Sequence, residues 1–286
     1  MGEYKVKVLG FGDNVVDKYE HIKTMYPGGN AVNFAVYAKK FGAERSAYMG
    51  YFGNDKEAEH VIHSLEEEGI ETVKCKQLLG ENGCARATVI DNDRVFLGSN
   101  EGGIRGETLF ALDRFDLEYI KGFDLVHSGN YCFTERQLPK IKAAGVPISF
   151  DFSDDSTPEY YARIAPLVDF AFMSCSDMAE EAIEEHLKKV IGYGVKVAVA
   201  SRGAEGSIAY DGHRFYSQKA VPVDSMVDTM GAGDSLLTAF TVGYMQKTKE
   251  KCTDENMIAE CLQKAAVFAS RICGVSGSWG HGVTYD

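Results

Sequence analysis

The sequence predicts an α/β fold, a single domain on a largely parallel sheet flanked by helices, with a small β element set into its N-terminal half. Two patterns carry that expectation. Short apolar runs (VKVLGFG, FDLVHSG, PISFDFS, VDFAFMS, VKVAVAS) are interleaved with amphipathic segments of helical period, the rhythm of βαβ units. The stretch from Glu81 to Gly102 departs from it: CARATVI and RVFLGS flank a turn-like DND and read as a β-hairpin.

Taken in order, VKVLGFG is an apolar run closed by glycines, typical of a buried first strand. After PGGN, AVNFAVYAKKFG has helical spacing and ends at Gly42, which suits a helix C-cap. SAYMGYFG is the next strand and DKEAEHVIHSLEEEG a charged amphipathic helix. The hairpin is not strongly apolar on both faces and is expected to stand away from the main core. From Asp124 onward strands alternate with helices through LPKIKAAG and EEAIEEHLKKVIGYG, and GSIAYDG adds a strand.

With 286 residues, 45% of them hydrophobic, the chain can bury a sizeable core, and α/β folds of this length are often one domain. A net charge of −12 argues against a nucleic-acid-binding surface. The apolar runs are too short and too interrupted to span a membrane. The N-terminus lacks the apolar core of a signal peptide, and Val6 breaks the myristoylation pattern. Seven scattered cysteines without a CxxC pair fit neither a disulfide framework nor a zinc site, so a reduced, cytoplasmic location is expected.

The chemistry concentrates in DTMGAGDS, Asp228 to Ser235, just before the apolar helix LLTAFTVGYM. Ligands of open α/β sheets gather at the carboxyl ends of strands, where helix N-termini point. Glycines there allow a sharp bend and a close backbone approach, and the helix start favours an anion. A carboxylate beside such an anion site can accept a hydroxyl proton while backbone N–H groups stabilise a moving phosphoryl. The plain alternative is that Asp234 only caps a helix and GAG is its lead-in turn.

DTMGAGD together with PGGNAVN resembles the two signature regions of the PfkB, or ribokinase-like, carbohydrate kinases. The likeness runs through GDNVVD at 12–17, PGGNAVNFAVYAKKFG at 27–42, SRGAEGS at 201–207 and DTMGAGD at 228–234. It implies a ribokinase-like fold with a small β-sheet lid from segments near 13–26 and 81–104. It implies Asp234 as catalytic base, with Gly231, Ala232 and Gly233 as an anion hole. SRGAEGS matches a nucleotide-binding turn with Ser201, Gly203 and Gly206, and Thr229 lies on the cofactor side; an ordinary strand-to-strand turn is the alternative. Gly28, Gly29, Asn30 and Asn33 match the sugar-binding signature and Asp17 a carboxylate that grips sugar hydroxyls. Asp13 and Asn14 join them, unless they only shape a turn.

ATP with Mg2+ follows from the same resemblance, and Asp228 and Ser278 lie where several members bind a monovalent cation such as K+. Structural support of the turn is an equal alternative for Asp228. The family's Asn-x-x-Glu motif is replaced by Ser174-Cys175-Ser176-Asp177. Asp177 then either serves magnesium or caps the following helix, the cap being slightly favoured.

CARATVIDNDRVFLGSNEGG, GGNAVNFAVY and ISFDFSDDS resemble the fructoselysine 6-kinase branch more than ribokinases or fructokinases. That branch implies a fructosyl amino acid as small-molecule partner, phosphorylated on its 6-hydroxyl. Glu101, Asp91 or Asp93 are candidates for its cationic amine and Arg86 or Arg94 for its carboxylate, with solvated hairpin surface as the alternative. Phe96 is a candidate to pack over the sugar and Asn130 to reach a hydroxyl. The resemblance also implies a homodimer through the β lid. A kinase for a plain ketose, or a sugar-binding regulator that keeps the fold, are the rival functions.

Overall fold

Strand β1 (Tyr4–Gly12) runs through the middle of the main sheet, because YKVKVLGFG is apolar toward both faces: Val6, Val8, Leu9 and Phe11 are fully buried. The computed structural model describes residues 4–90, 93–223, 225–252 and 254–286. After β1 come β2 (Val15–Tyr19), β3 (Thr24–Gly28), α1 (Asn30–Phe41), β4 (Ala43–Phe52), α2 (Lys56–Glu67) and the two-residue β5 (Lys76–Gln77). The hairpin β6 (Gly83–Ile90) and β7 (Asp93–Ser99) precedes α3 (Ile104–Glu107) and α4 (Arg114–Ile120). Next are β8 (Leu125–Gly129), α5 (Leu138–Ala143), β9 (Ile148–Asp151), α6 (Pro158–Ile164), β10 (Phe170–Ser174) and α7 (Glu180–Gly192). The chain closes with β11 (Val197–Ser201), β12 (Ser207–Tyr210), β13 (Phe215–Gln218), α8 (Ala232–Lys249), α9 (Met257–Ile272) and β14 (Val283–Thr284).

The main sheet has nine strands in the order β13-β12-β11-β10-β9-β8-β1-β4-β5. Every pairing from β5 to β11 is parallel, and β12 and β13 add an antiparallel edge. The chain steps from β1 to β4 on one side and then crosses to β8 on the other. The strand order therefore reverses at β1, and the carboxyl ends of β1 and β8 form the switch point where open α/β sheets hold their ligand crevice. Helices α1, α2, α8 and α9 cover one face of the sheet, and α4 to α7 cover the other. Among the described residues, no helix is long and apolar enough to cross a membrane.

The expected helix after PGGN is α1, and Gly42 closes it at φ 111°, a left-handed conformation that glycine adopts without strain. The expected hairpin is β6–β7, joined to β2 and β3 in a second sheet of order β14-β3-β2-β6-β7. Asp91 lies outside the described residues. Asp93 and Arg94 begin β7, but their side chains are also outside them.

Two features differ from expectation. The hairpin is not detached from the core: Cys84 of β6 packs against the main apolar cluster, and the adjoining β2 sends Val16 into that cluster and Lys18 to Glu57 of α2 at 2.6 Å. The smaller sheet also recruits the C-terminal β14, which pairs antiparallel with β3. Strand register puts Lys18, Met25 and Arg86 on the face toward α2, and Asp17, Tyr26 and Ala85 on the opposite face.

Candidate active site

The crevice is built around the first residue of α1. Gly29 precedes it at φ 108°, and a Cβ there would lie 2.9 Å from Asn14 Cα, so only glycine fits. The backbone N–H groups of Asn30 and Ala31 donate to the two Asp13 carboxylate oxygens at 3.0 and 2.9 Å. Asp13 thus caps α1 from the end of β1, and burial pushes its pKa up. Asn14 donates to the Tyr48 hydroxyl at 2.9 Å and to the Tyr51 carbonyl at 2.7 Å, while its own buried Oδ1 has no protein partner.

Asp234 faces this corner from α8. Gly231 is the N-cap of that helix at φ 73°, and Asp234 is the third helical residue. Its carboxylate does not cap the helix. Oδ1 accepts from Asn30 Nδ2 at 2.9 Å and Oδ2 from Asn33 Nδ2 at 2.7 Å. Asn33 also donates to Ser278 Oγ at 3.2 Å and accepts from the Trp279 indole N–H at 2.8 Å. The remaining Asn30 Nδ2 proton goes to Asp151 Oδ2 at 2.9 Å. Burial raises the Asp234 pKa to about 7, with repulsion from Asp151 adding to it. Asp151 itself is raised to about 6, again mainly by burial.

Beside this corner, Asp151, Ser174, Ser201 and Gly233 line one cleft across the ends of β9, β10 and β11. A Cβ on Gly233 would meet nothing within 4 Å, so its glycine leaves the cleft open rather than satisfying a strained turn. By contrast, a Cβ on Gly231 would lie 2.0 Å from the Tyr37 hydroxyl oxygen. The N–H groups of Gly233 and Asp234 belong to the first turn of α8, where intrahelical partners are lacking and anions bind. Ala232 N–H instead closes the turn onto the Thr229 carbonyl at 3.2 Å.

Asp228 braces that turn. It accepts from Met230 N–H at 3.0 Å, from the Tyr19 hydroxyl at 2.6 Å and from Gly277 N–H at 3.0 Å. Asp17 lies against Gly28, where a Cβ would approach its Oδ2 at 2.6 Å and Ser278 Oγ at 3.7 Å. The geometry thus gathers Asp13, Asn14, Asp17, Gly28, Gly29, Asn30, Asn33, Gly231, Asp234 and Ser278 into one corner.

Other expected residues lie further out. Arg86 is exposed on the α2-facing side of the smaller sheet, opposite Asp17. Phe96 is 67% exposed on β7 opposite Ala87, and Glu101 is exposed in a left-handed turn at φ 53°. Asn130 donates to Asp155 at 3.0 Å, as does the Tyr131 hydroxyl at 2.7 Å. SRGAEGS is a turn between the antiparallel β11 and β12, with Gly203 and Gly206 at positive φ. Ser201 reaches the cleft, whereas Gly206 fits closely under Gln218. Asp177 is exposed and does not cap α7. The N-cap there is Ala179, without a side-chain cap, because the helix starts at Glu180, beyond reach of a cap from Asp177.

Sequence reasoning passed over Asp151, His127 and Trp279. Asp151 stood in the quoted ISFDFSDDS, and its position at a strand end was the available signal. His127 Nε2–H donates to Asn30 Oδ1 at 2.9 Å and its Nδ1 accepts from Ser149 Oγ at 2.8 Å. That tautomer follows from the Asn30 amide nitrogen being committed to carboxylates. Burial lowers the His127 pKa to about 3, so the ring is neutral.

Residues 3–280 match the model of the pfkB family carbohydrate kinase. The chain is 40% identical over 281 residues to "Fructosamine kinase FrlD" of Bacillus subtilis (strain 168), covering 98% of this chain and 95% of that one. It is 33% identical to "Fructoselysine 6-kinase" of Shigella flexneri, over 82% and 87% of the two chains. Among solved structures, a ribokinase from Giardia lamblia superposes with a TM-score of 0.81 at 18% identity, covering 96% and 94%. A ribokinase from Arabidopsis thaliana complexed with ribose and ATP gives 0.75 at 20%, covering 97% and 95%. These two share the fold. The protein belongs to the pfkB family of carbohydrate kinases, phosphotransferases that act on a sugar hydroxyl.

Proposed function

We propose that this protein transfers the γ-phosphoryl group of ATP to the 6-hydroxyl of a fructosamine, fructoselysine first among them. The observation that carries the proposal is end-to-end similarity to a fructosamine kinase combined with a half-buried Asp234 held between Asn30 and Asn33. The sugar lies between the start of α1 and the smaller sheet, where Gly28 and Gly29 admit it closely. Asn30, Asn33 and Asp17 offer it polar groups. The phosphates lie in the cleft beside Ser201 and the first-turn N–H groups of α8. Asp234 stands between the two. It takes the proton as the sugar oxygen bonds to the γ-phosphorus and the bond to the ADP oxygen breaks.

Magnesium bound with ATP would neutralise phosphate charge. Exposed Asp177, three residues beyond the cleft-lining Ser174, would be a carboxylate to hold it. Asp228 serves first as the brace of the anion-hole turn, and a monovalent cation such as K+ beside Asp228 and Ser278 would reinforce it. The smaller sheet acts as a lid that excludes water. Its edge strand β7 exposes Val95, Phe96 and Leu97, which supports pairing with a second copy. Seven free thiols fit a reducing, cytoplasmic setting.

Phosphorus–proton correlation NMR of the product made from fructoselysine and Mg-ATP tests the regiochemistry. Coupling of phosphorus to the C6 methylene is expected, and coupling to another carbon's proton would contradict it.

A further inference from the structure

We propose that Asp151 is a positioning residue for the base, acting on Asp234 through the single Asn30 amide that the two carboxylates share. The proposal rests on Asp234 as the base and not on the identity of the sugar.

An asparagine amide has two N–H bonds, and both are spent here. One goes to Asp151 Oδ2 and the other to Asp234 Oδ1, each at 2.9 Å. The amide oxygen is held from behind by His127 Nε2–H at 2.9 Å, and His127 in turn by Ser149 at 2.8 Å. The His127 ring is clamped by Phe34, stacked at 4.3 Å. Backbone N–H of Asn30 is tied to Asp13. Asn30 is thereby fixed at every polar atom that aims it at Asp234, and Asp151 supplies one of those anchors. Asp151 is itself oriented by Ser153 N–H at 3.0 Å. Its position at the cleft, beside Gly233, puts it next to the reacting groups without occupying the base's place.

The second consequence is electrostatic. Asp234 faces Asp151 from β9 and Asp13 from the end of β1, and Tyr37 of α1 lies nearby as a neutral phenol. His127 of β8 is neutral, and Asp154 adds a further negative charge beside Asp151. Among the described residues, no lysine or arginine forms an ion pair with Asp13, Asp151 or Asp234. A carboxylate one amide away from another anion, without a compensating cation, binds a proton more readily than it would alone. Greater proton affinity makes a better general base, as long as the group is ionised at the working pH.

Asp151→Asn removes the charge while keeping the shape and one acceptor oxygen, which serves either the Asn30 amide or the Ser153 N–H. Carbon-13 NMR of labelled aspartate carboxyls, without substrate, is the direct readout. The Asp234 titration should move down by about one pH unit in the variant. With whichever sugar the wild-type enzyme phosphorylates, the acid limb of kcat/KM should move with it. The plateau kcat should fall about threefold to tenfold, with KM for the sugar little changed. Asp151→Ala, which also releases the amide, should lose about tenfold more in kcat. An Asp234 titration at its wild-type position in Asp151→Asn would overturn the proposal, whatever the activity. So would a lowered kcat with an unmoved acid limb, which marks a merely structural role. If the alanine variant fails to fold, the asparagine variant still decides the matter. Because the NMR titration needs no sugar, its outcome is independent of whether fructosamines are the substrates.

Discussion

Trp279 and Asn33 are joined by a 2.8 Å hydrogen bond from the indole N–H to the amide oxygen, and that bond decides which end of the amide faces Asp234. With the oxygen engaged, the nitrogen must point to the carboxylate. Trp279→Phe keeps most of the buried ring and removes the donor. The amide can then turn its oxygen toward Asp234, and kcat should fall about tenfold, the equivalent of one lost net hydrogen bond to a charged group. Steady-state kinetics with a thermal melt would check this. An unchanged kcat in a folded variant would show that Asn33 is held without Trp279.

Removing the base itself should be far more costly. Asp234→Ala and Asp234→Asn should each lower kcat by about 10²- to 10⁴-fold, the usual worth of a positioned general base. Sugar binding, followed by calorimetry, should persist. Near-normal turnover in either variant would overturn the base assignment.

The two glycines of the GAG turn should respond differently to alanine. At Gly231 the backbone is left-handed at φ 73° and a Cβ would meet the Tyr37 hydroxyl at 2.0 Å, so Gly231→Ala should lower the melting temperature and activity together. At Gly233 there is open space, so Gly233→Ala should fold and melt like the wild type. Its methyl group would project into the cleft beside Ser201 and, if ATP binds there as proposed, raise KM for ATP several-fold. Equal melting temperatures for the two variants would contradict the contrast.

The raised Asp234 pKa fixes the sign of two pH effects. A base must be ionised, so kcat/KM should rise as pH increases through about 7. Stability runs the other way. Between the unfolded value of 3.8 and about 7, the folded state holds more protons than the unfolded one. The stabilising contribution is therefore full below about pH 4 and is lost as pH rises through 7. Asp234→Asn lacks that loss, so its melting temperature should gain on the wild type between pH 4.5 and pH 8. A difference that shrinks with pH would contradict the raised Asp234 pKa.

Much of this molecule is legible in its sequence because the decisive signals are local. The glycine-rich entry to α1, Gly42 at its end and the GAGD start of α8 each report on a few consecutive residues, and the structure has them as helix boundaries. What escaped was created by distance in the chain. Asp151, His127 and Asn30 meet because β9, β8 and α1 converge at the strand-order reversal, and no periodicity marks a lone acid at a strand end. Trp279 and β14 come from a C-terminal segment that folds back over 240 residues to reach Asn33 and β3. Asp13 looked like a turn or sugar residue because a helix cap supplied from a neighbouring strand has no sequence signature beside the helix it caps.

On the proposed reading, the crevice phosphorylates fructosamines rather than plain sugars. The most direct test is ADP release by the purified protein with Mg-ATP and fructoselysine, other fructosyl amino acids, fructose, ribose or no sugar. kcat/KM for fructoselysine or another fructosyl amino acid should lie well above that for fructose and ribose, with little release when sugar is absent. Turnover of fructose or ribose alone, with fructosyl amino acids inert, would contradict that reading.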